Sequence, residues 1–439
     1  MVATKRSILQ MNAFERERPA DGLLARRIAN AGAMSVLFYR EPLEMVSARG
    51  AWMQAADGKR YLDFYNNVPS VGHCHPAVAE AISAQLGVLN INTRYLNEVV
   101  ERYVESLKAL LPGSLDNVVL TCSGSEANDL AMRVAERVTG HRGYIVSENA
   151  YHGNTRAVTE ISPASLLHGG PPAHVIAVPA PGRAAYGDDI EGGFAAAVEA
   201  AATTLRARGH GLAALVCDSV FSSDGVHTDP AGFLDRAVEV ARAHGGLYLA
   251  DEVQPGFART GSGFWGFQSH GAVPDMVTMG KPMGNGYPMA ALVAPAAFLE
   301  RFAADVGYFN TFGGSPVAAA AGQAVLDVIE SEGLREHALQ VGAHLAERVH
   351  HLATTSNAIA EVRGRGLFMG IELGQEGDLA RPDSAAASRI IDGLRVRGVL
   401  IGAAGAYGNT LKVRPPLCLS MEEADRFADA LEAELSSEG

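Results

Sequence analysis

Between about residues 115 and 295, short and continuously apolar runs alternate with stretches whose apolar residues recur at helical spacing. The runs are DNVVLTC, GYIVSE, AALVCDS, GLYLAD and DMVTMG. Unbroken apolar character suits strands buried on both faces, hence a mainly parallel sheet covered by helices. Upstream, the polarity of EMVSARGAWMQAADGKRYLDF alternates about Asp57-Gly58, the signature of a hairpin turn. His75-Pro76 opens a helix that is expected to carry Val78, Ile82, Leu86 and Leu89 on one face. After Gly314 a long Ala-rich helix is expected, then strands in EVRGRGLFMGIEL and NTLKVRPPL. A last helix starts at Ser420, where Glu423 completes a capping box, and lines up Phe427, Leu431 and Leu435. Residues 1–40 are mixed and charged, and a helical lead-in is expected there.

The pattern thus calls for an α/β fold. At 439 residues the chain is too long for one simple core, so two domains are expected. A hydrophobic share of 48% supplies ample core. A net charge of −13 argues against nucleic acid and anionic membranes as partners. Cys74, Cys122, Cys217 and Cys418 form no CxxC pair, which disfavours a disulfide framework or a zinc site. The N-terminal stretch has no apolar signal core and no later run is long enough to span a bilayer, so a cytoplasmic protein is expected.

Three segments carry candidate chemistry. In TCSGSEANDLAMRVAERV a strand gives way to a helix through Ser123-Gly124-Ser125, with Ser123 and Glu126 spaced as a capping box. The open N–H groups of such a start favour a phosphate, although an ordinary strand–turn–helix has the same pattern. In GLYLADEVQPGFARTG, Asp251 follows an apolar strand directly, at the carboxyl end of the sheet where α/β sites lie. A charge there needs a partner, either a nearby Arg, a backbone cap or a protonated cofactor nitrogen. Glu252 beside it is expected to be a structural or surface acid. In DMVTMGKPMGNGYPMA, Lys281 ends the next strand. Burial disfavours the ammonium form and so favours the amine that forms a Schiff base. A snorkelling structural lysine is the alternative, and the Asp251 strand one unit earlier weighs against it.

Two other patterns are weak. The glycines of Gly261–Gly266 match GxGxxG but neither follow a strand nor open a helix, so a dinucleotide site is not expected. His73-Cys74-His75 resembles a metal-ligand set without further ligands near it, and no metal is expected.

The order SGSEAN, AYHGNT, DEVQPGFARTG, TMGKPMGNG and NTFGGSPVA resembles the class III aminotransferases of pyridoxal-phosphate (PLP) fold type I, from about Trp52 to Pro416. That resemblance implies a large domain, 61–317, with a mainly parallel seven-stranded sheet. It also implies a smaller α+β domain built from 1–60 and 318–439. It assigns pyridoxal 5'-phosphate to Lys281 as a Schiff base, and its phosphate to the amides of Gly124 and Ser125 at the Ser123 turn. Tyr151 would stack on the ring with His152 next to it, and Val253 would pack on the opposite face. Asp251 would pair with the ring N–H, and Gln254 would approach the phenolic oxygen. Thr311 would reach the phosphate of the other subunit, which implies a homodimer with shared sites, or a tetramer built from it. Retention of Lys281, Asp251 and Thr311 together argues against an inactive member.

Lys412 and Arg414 alternate along TLKVRPP and so share a face. The resemblance places an anion-binding Arg at Arg414 and substrate-facing positions at Asn67 and Val68. Relatives that use 2-oxoglutarate carry EPIQGE, whose last Glu masks this Arg; here Ser223 stands in that place. Arg414 is then either permanently available or neutralised by Asp218 or Asp224. The expectation is an aminotransferase that moves an amino group from an amine to a small oxo acid, pyruvate or glyoxylate, in a ping-pong cycle. NNVPSVGHCHP, NTRYLNEVVERY, TEISP and FWGFQ are similar to a subgroup that also holds ethanolamine-phosphate phospho-lyases, amino-phosphonate lyases and alanine–glyoxylate aminotransferases. A lyase acting on an amino-phosphate or amino-phosphonate is therefore the alternative.

Overall fold

The computed structural model describes residues 22–34 and 36–436. The part of the expected lead-in before residue 22 lies outside the described residues; Gly22–Ala31 is helical.

Among the described residues, fifteen strands form three sheets. β1 (Met45–Arg49), β2 (Trp52–Ala55) and β3 (Arg60–Asp63) make an antiparallel meander. The turn between β2 and β3 is the expected one: Lys59 N–H donates to Asp57 Oδ1 at 2.9 Å, and Gly58 takes φ +84°. A glycine supplies that positive φ without strain.

The central sheet has seven strands: β4 (Asn117–Thr121), β5 (Gly143–Ser147), β6 (Val175–Val178), β7 (Leu212–Asp218), β8 (Leu247–Asp251), β9 (Met276–Met279) and β10 (Ala290–Ala294). Their order is β4-β10-β9-β8-β7-β5-β6. β6, β5, β7, β8 and β9 pair in parallel, and β10 pairs antiparallel with both β9 and β4. The apolar runs explain the arrangement, since β5, β9 and β10 are buried at every position. β4 departs from the expectation of burial on both faces: it closes the sheet edge, and Asn117 to Leu120 keep part of their surface.

A third sheet holds β11 (Ile359–Arg365), β12 (Phe368–Leu373), β14 (Gly402–Ala404) and β15 (Thr410–Val413), in the order β11-β12-β15-β14. Just before β14, β13 (Val399–Leu400) joins β3 in parallel, so both ends of the chain share the first sheet. β3 runs across position 60/61 and the helix Pro316–Ser331 across 317/318. Arg414 N–H donates to Phe64 O at 3.0 Å, which lays the end of β15 beside the segment after β3.

The terminal helix, Met421–Ser436, has its capping box: Ser420 N–H donates to Glu423 Oε2 at 2.8 Å and Glu423 N–H to Ser420 Oγ at 3.2 Å. Phe427, Leu431 and Leu435 are buried as expected, and Phe427 stacks on Phe64 with ring centres 4.2 Å apart. The helix Pro76–Leu86 corrects another expectation. Val78 is buried, but Leu86 is 57% exposed and Leu89 lies beyond the helix, also exposed. The apolar stripe therefore does not face one core along its length.

Candidate active site

Parallel strands end on the same side, so Ser147, Asp218, Asp251 and the residues after Met279 come together at one end of the sheet. Sites of α/β proteins form outside such carboxyl ends.

Asp251 is almost fully buried, and three donors meet its carboxylate. His152 Nδ1 lies 2.7 Å and Asn128 Nδ2 3.0 Å from Oδ2, and Val253 N–H donates to Oδ1 at 3.0 Å. Donors in that number offset the cost of burying a charge. His152 Nε2 is buried with no partner among the described residues.

Lys281 follows β9 and opens the short turn Lys281–Gly284. Burial pushes its ammonium below the usual lysine range, Asp251 opposes the shift, and Arg414 adds to it. A neutral amine at this point can act as a nucleophile or base. The turn is anchored by Asn285, which accepts from Val71 N–H at 3.0 Å and donates to Gly72 O at 2.9 Å.

Ser123 caps the helix Gly124–Thr139, accepting from Glu126 N–H at 3.3 Å, while Glu126 Oε2 accepts from Cys122 N–H at 2.8 Å. The amides of Gly124 and Ser125 have no backbone partner among the described residues. Open amides at a helix start can receive an anion. The surroundings leave no room for larger residues: a Cβ at Gly124 would come within 2.9 Å of Val253 Cγ2, and one at Gly153 within 2.4 Å of Ser125 Oγ. Ser125 Oγ accepts from Asn154 N–H at 3.1 Å, tying the helix start to the loop that carries Tyr151 and His152. Tyr151 is half-buried, and burial raises its phenol above the usual range. A buried acid, a helix start with open amides and an amine disfavoured as ammonium are the groups that PLP requires: Asp251 would suit its ring nitrogen, Gly124 and Ser125 its phosphate, and Lys281 its aldehyde. Thr311 stands apart from this cluster, exposed on the loop before Gly313-Gly314.

The other side of the site is built by β15 and the segment after β3. Gln254 Oε1 accepts from Lys412 Nζ at 3.2 Å and from Arg414 Nη1 at 2.8 Å. The two side chains therefore share a face, as their alternation implies. Asn67 Oδ1 lies 3.4 Å from Arg414 Nη1, and the guanidinium sits 4.5 Å above the Tyr65 ring. Val68 is partly exposed next to Asn67. Arg414 Nε and Asn67 Nδ2 are buried without partners among the described residues. Lys412 is 2% exposed, and burial followed by the charge of Arg414 pushes its ammonium well below the usual range.

Neutralisation of Arg414 by Asp218 or Asp224 is not what the geometry holds. Asp224 accepts from Ser147 Oγ at 2.6 Å and Asn149 N–H at 3.0 Å, and burial raises its pKa to about 6. Asp218 accepts from Val220 N–H at 3.0 Å and from the Ser222 hydroxyl. Its charge reaches Lys412 rather than Arg414, and burial raises its pKa. Ser223 is buried in the place where a masking glutamate was considered.

The remaining motifs resolve structurally. Glu252 is fully buried and accepts from Ser219 Oγ at 2.5 Å, Gly266 N–H at 2.6 Å and Phe267 N–H at 2.9 Å. The glycine-rich segment thus wraps a protein carboxylate. His73 bonds Asp63 at 2.7 Å and His75 bonds Glu332 at 3.0 Å, so the two histidines serve different carboxylates.

Sequence reasoning gave no role to Lys412 and passed over Asn128 and Thr278. A lysine inside an apolar strand, and an asparagine among Ala127, Leu130 and Ala131 on the buried side of a helix, were the available signals.

Residues 38–435 match the family model described as aminotransferase class-III. The chain is 38% identical over 417 residues to an alanine–glyoxylate aminotransferase 2-like protein of Drosophila melanogaster, covering 91% of this chain and 84% of that one. It is 37% identical over 440 residues to ethanolamine-phosphate phospho-lyase homolog 1 of Caenorhabditis elegans, covering 95% and 94%. A solved phospholyase from Arthrobacter, in complex with phosphoethanolamine, superposes with a TM-score of 0.91 at 45% identity, covering 95% of this chain and all of that one. The chain belongs to the class-III aminotransferase family and is a PLP-dependent enzyme.

Proposed function

We propose that this class-III family member is a lyase that removes phosphate from a small amino-phosphate such as ethanolamine phosphate, with PLP as cofactor. One observation carries the reading: the buried Lys412 and the half-buried Arg414 share the neutral oxygen of Gln254, and no carboxylate is hydrogen-bonded to either among the described residues. A phosphate dianion can accept from both and favours the charged form of Lys412 that burial and Arg414 disfavour, whereas a carboxylate brings one charge. An aminotransferase must also admit a partner with a neutral side chain, and Ser223 offers no mask for that half of the cycle. A lyase meets an anionic group in every turnover and needs no mask. The Arthrobacter phospholyase bound to phosphoethanolamine supports the same choice.

In this reading Gly124 and Ser125 hold the cofactor phosphate, Tyr151 and Val253 flank the ring, and Asp251, backed by His152, keeps the ring nitrogen protonated. Bound there, the cofactor supplies an aldehyde that takes up the substrate amine and a ring that accepts the electrons left at its Cα. Lys281 provides the resting attachment and, once displaced, the amine that removes the Cα proton. Lys412 and Arg414 hold the phosphate as it leaves Cβ, with Asn67 and Val68 beside them. One water is consumed per ethanolamine phosphate, and acetaldehyde, ammonia and phosphate are released.

Aminotransfer to pyruvate or glyoxylate is the second reading, supported by the 38% identity to the alanine–glyoxylate aminotransferase 2-like protein. One assay separates them. Ethanolamine phosphate is incubated with the enzyme with and without an oxo acid, and phosphate and acetaldehyde are measured. The lyase releases both without oxo acid; phosphate release absent under every condition, with alanine or glycine formed from an amine donor, would establish the transferase instead.

The active unit in this proposal is a homodimer, or a tetramer built from it, in a cytoplasmic setting. Thr311 lies among exposed apolar side chains: Phe312 at 75%, Phe309 at 44% and, across the Arg94–Phe309 contact of 4.1 Å, Leu96 at 96%. Patches of that kind mark interaction surfaces. Sedimentation should give a dimer or larger, and Phe312→Asp should shift the protein toward monomer with loss of cofactor retention. An active monomer would end the idea.

A further inference from the structure

The residues that bond Asp251 are themselves held by a polar chain through the sheet. Asn128 is fully buried on the helix Gly124–Thr139. Its Nδ2 donates to Asp251 Oδ2 at 3.0 Å and to His152 O at 2.8 Å. Its Oδ1 accepts from Thr278 Oγ1 at 2.6 Å. Thr278 is fully buried on β9, three residues before Lys281, and no described hydrogen bond links its side chain to Asp251 directly. One amide therefore joins the helix that begins at Gly124, the Tyr151-His152 loop, β8 and β9.

We propose that Thr278, through Asn128, is a positioning residue that fixes the Asp251 carboxylate for its pairing with the cofactor ring nitrogen. The argument is one of hydrogen-bond polarity. The Thr278 hydroxyl donates to Oδ1, which directs the Asn128 Nδ2 hydrogens at Asp251 and at His152 O; the opposite amide orientation would set Oδ1 against a carboxylate. Without the hydroxyl, Oδ1 is a buried acceptor with no partner, and the amide loses the contact that fixes its plane. Asp251 then keeps His152 and Val253 N–H, while its third donor, Asn128 Nδ2, sits on an amide that is no longer held in place. The same amide holds the backbone beside Tyr151, so the ring's flanking residue shifts with it. Since Asp251 serves the ring nitrogen in elimination and in aminotransfer alike, the inference stands on either functional reading.

The test uses the PLP-loaded enzyme carrying ¹⁵N in the cofactor ring, with Thr278→Val, which keeps the shape and removes the hydroxyl, and Thr278→Ser, which keeps the hydroxyl. For Thr278→Val the ring ¹⁵N resonance should move toward the unprotonated pyridine value. Misplacement of a reacting group on this scale costs about 10- to 100-fold in rate, so kcat should fall by about that factor with KM changed less than about threefold. Thr278→Ser should restore both readouts. Asn128→Ala should show the same ¹⁵N movement, and serves if the valine variant fails to fold. A wild-type ¹⁵N resonance in the folded variants, whether or not kcat falls, would overturn the proposal, as would a serine variant as impaired as the valine one.

Discussion

Asp251, at the end of β8, receives three hydrogen bonds from His152, Asn128 and Val253. Lys412 and Arg414, at the end of β15, share one neutral acceptor on Gln254. One cluster is acidic and buried, the other is basic and runs from the buried Lys412 to the half-buried Arg414, and the protein satisfies them to very different degrees. A carboxylate saturated by protein donors is set before any ligand arrives and costs no reorganisation during reaction. A basic pair left with only the neutral oxygens of Gln254 and Asn67, with Arg414 Nε and Asn67 Nδ2 unpartnered among the described residues, is set to take its counter-charge from a substrate. The contrast predicts that damage at the β8 end will strike turnover, and damage at the β15 end will strike the choice and binding of substrate.

The largest effect belongs to Lys281, which stands between the clusters. Lys281→Ala should lower turnover by on the order of 10⁴-fold or more, as for other covalent-site residues, while circular dichroism stays that of the native fold. The absorbance band of lysine-bound cofactor should vanish. A borohydride-reduced adduct on another lysine would break the assignment.

Asp251→Asn should come next. It removes the charge and keeps the shape, so PLP should still bind while kcat falls by about 10²- to 10³-fold, the usual loss for a preorganised electrostatic group. Activity near wild type would erase the distinction between the two clusters.

Lys412→Met probes the other end. A hydrogen bond to a charged group contributes about 1.5–3 kcal/mol, so kcat/KM for ethanolamine phosphate should fall about 10- to 100-fold, mostly through KM. It should not lower the melting temperature at pH 7, because methionine fills the space without burying an amine. An unchanged kcat/KM with every anionic substrate, measured alongside Arg414→Ala, would show that the pair does not select the substrate.

The smallest effect is on stability and concerns Glu252, the neighbour of Asp251, which three donors hold in a fully buried site. Burial nonetheless raises its pKa to about 7 from a reference of 4.5. The folded state then keeps a proton that the unfolded chain has lost, so this group's contribution falls as pH rises from about 4.5 to 7. In Glu252→Gln that decline should be absent, and calorimetry from pH 5 to 7.5 should show a flatter stability profile, at an overall lower level because an NH2 group replaces one of the two oxygens that accept from Gly266 and Phe267 N–H. An identical pH slope in both proteins would show that Glu252 does not bind the proton.

The strand ends were legible because they depend on local pattern. An apolar run that stops at Asp251, another that stops before Lys281, and a Ser123–Glu126 box at a helix start each occupy a few consecutive residues. The mainly parallel sheet followed from those runs, while the cofactor and the count of seven strands followed from the resemblance of the motifs to the class III aminotransferases. The exposure of Leu86 and Leu89 was not legible, since helical spacing shows that residues share a face but not what covers it.

What the sequence determined by itself, then, is where the chain places its amine, its acid and its helix start, together with the shared face of Lys412 and Arg414. Only the tertiary structure decided what those groups meet. Gln254 lies 158 positions from Lys412 and 160 from Arg414, and Asn128 lies 150 from Thr278. Local propensity acts over a turn or a strand; contacts across such separations exist only once the sheet has stacked β8 beside β9 and the C-terminal strands have folded back over it.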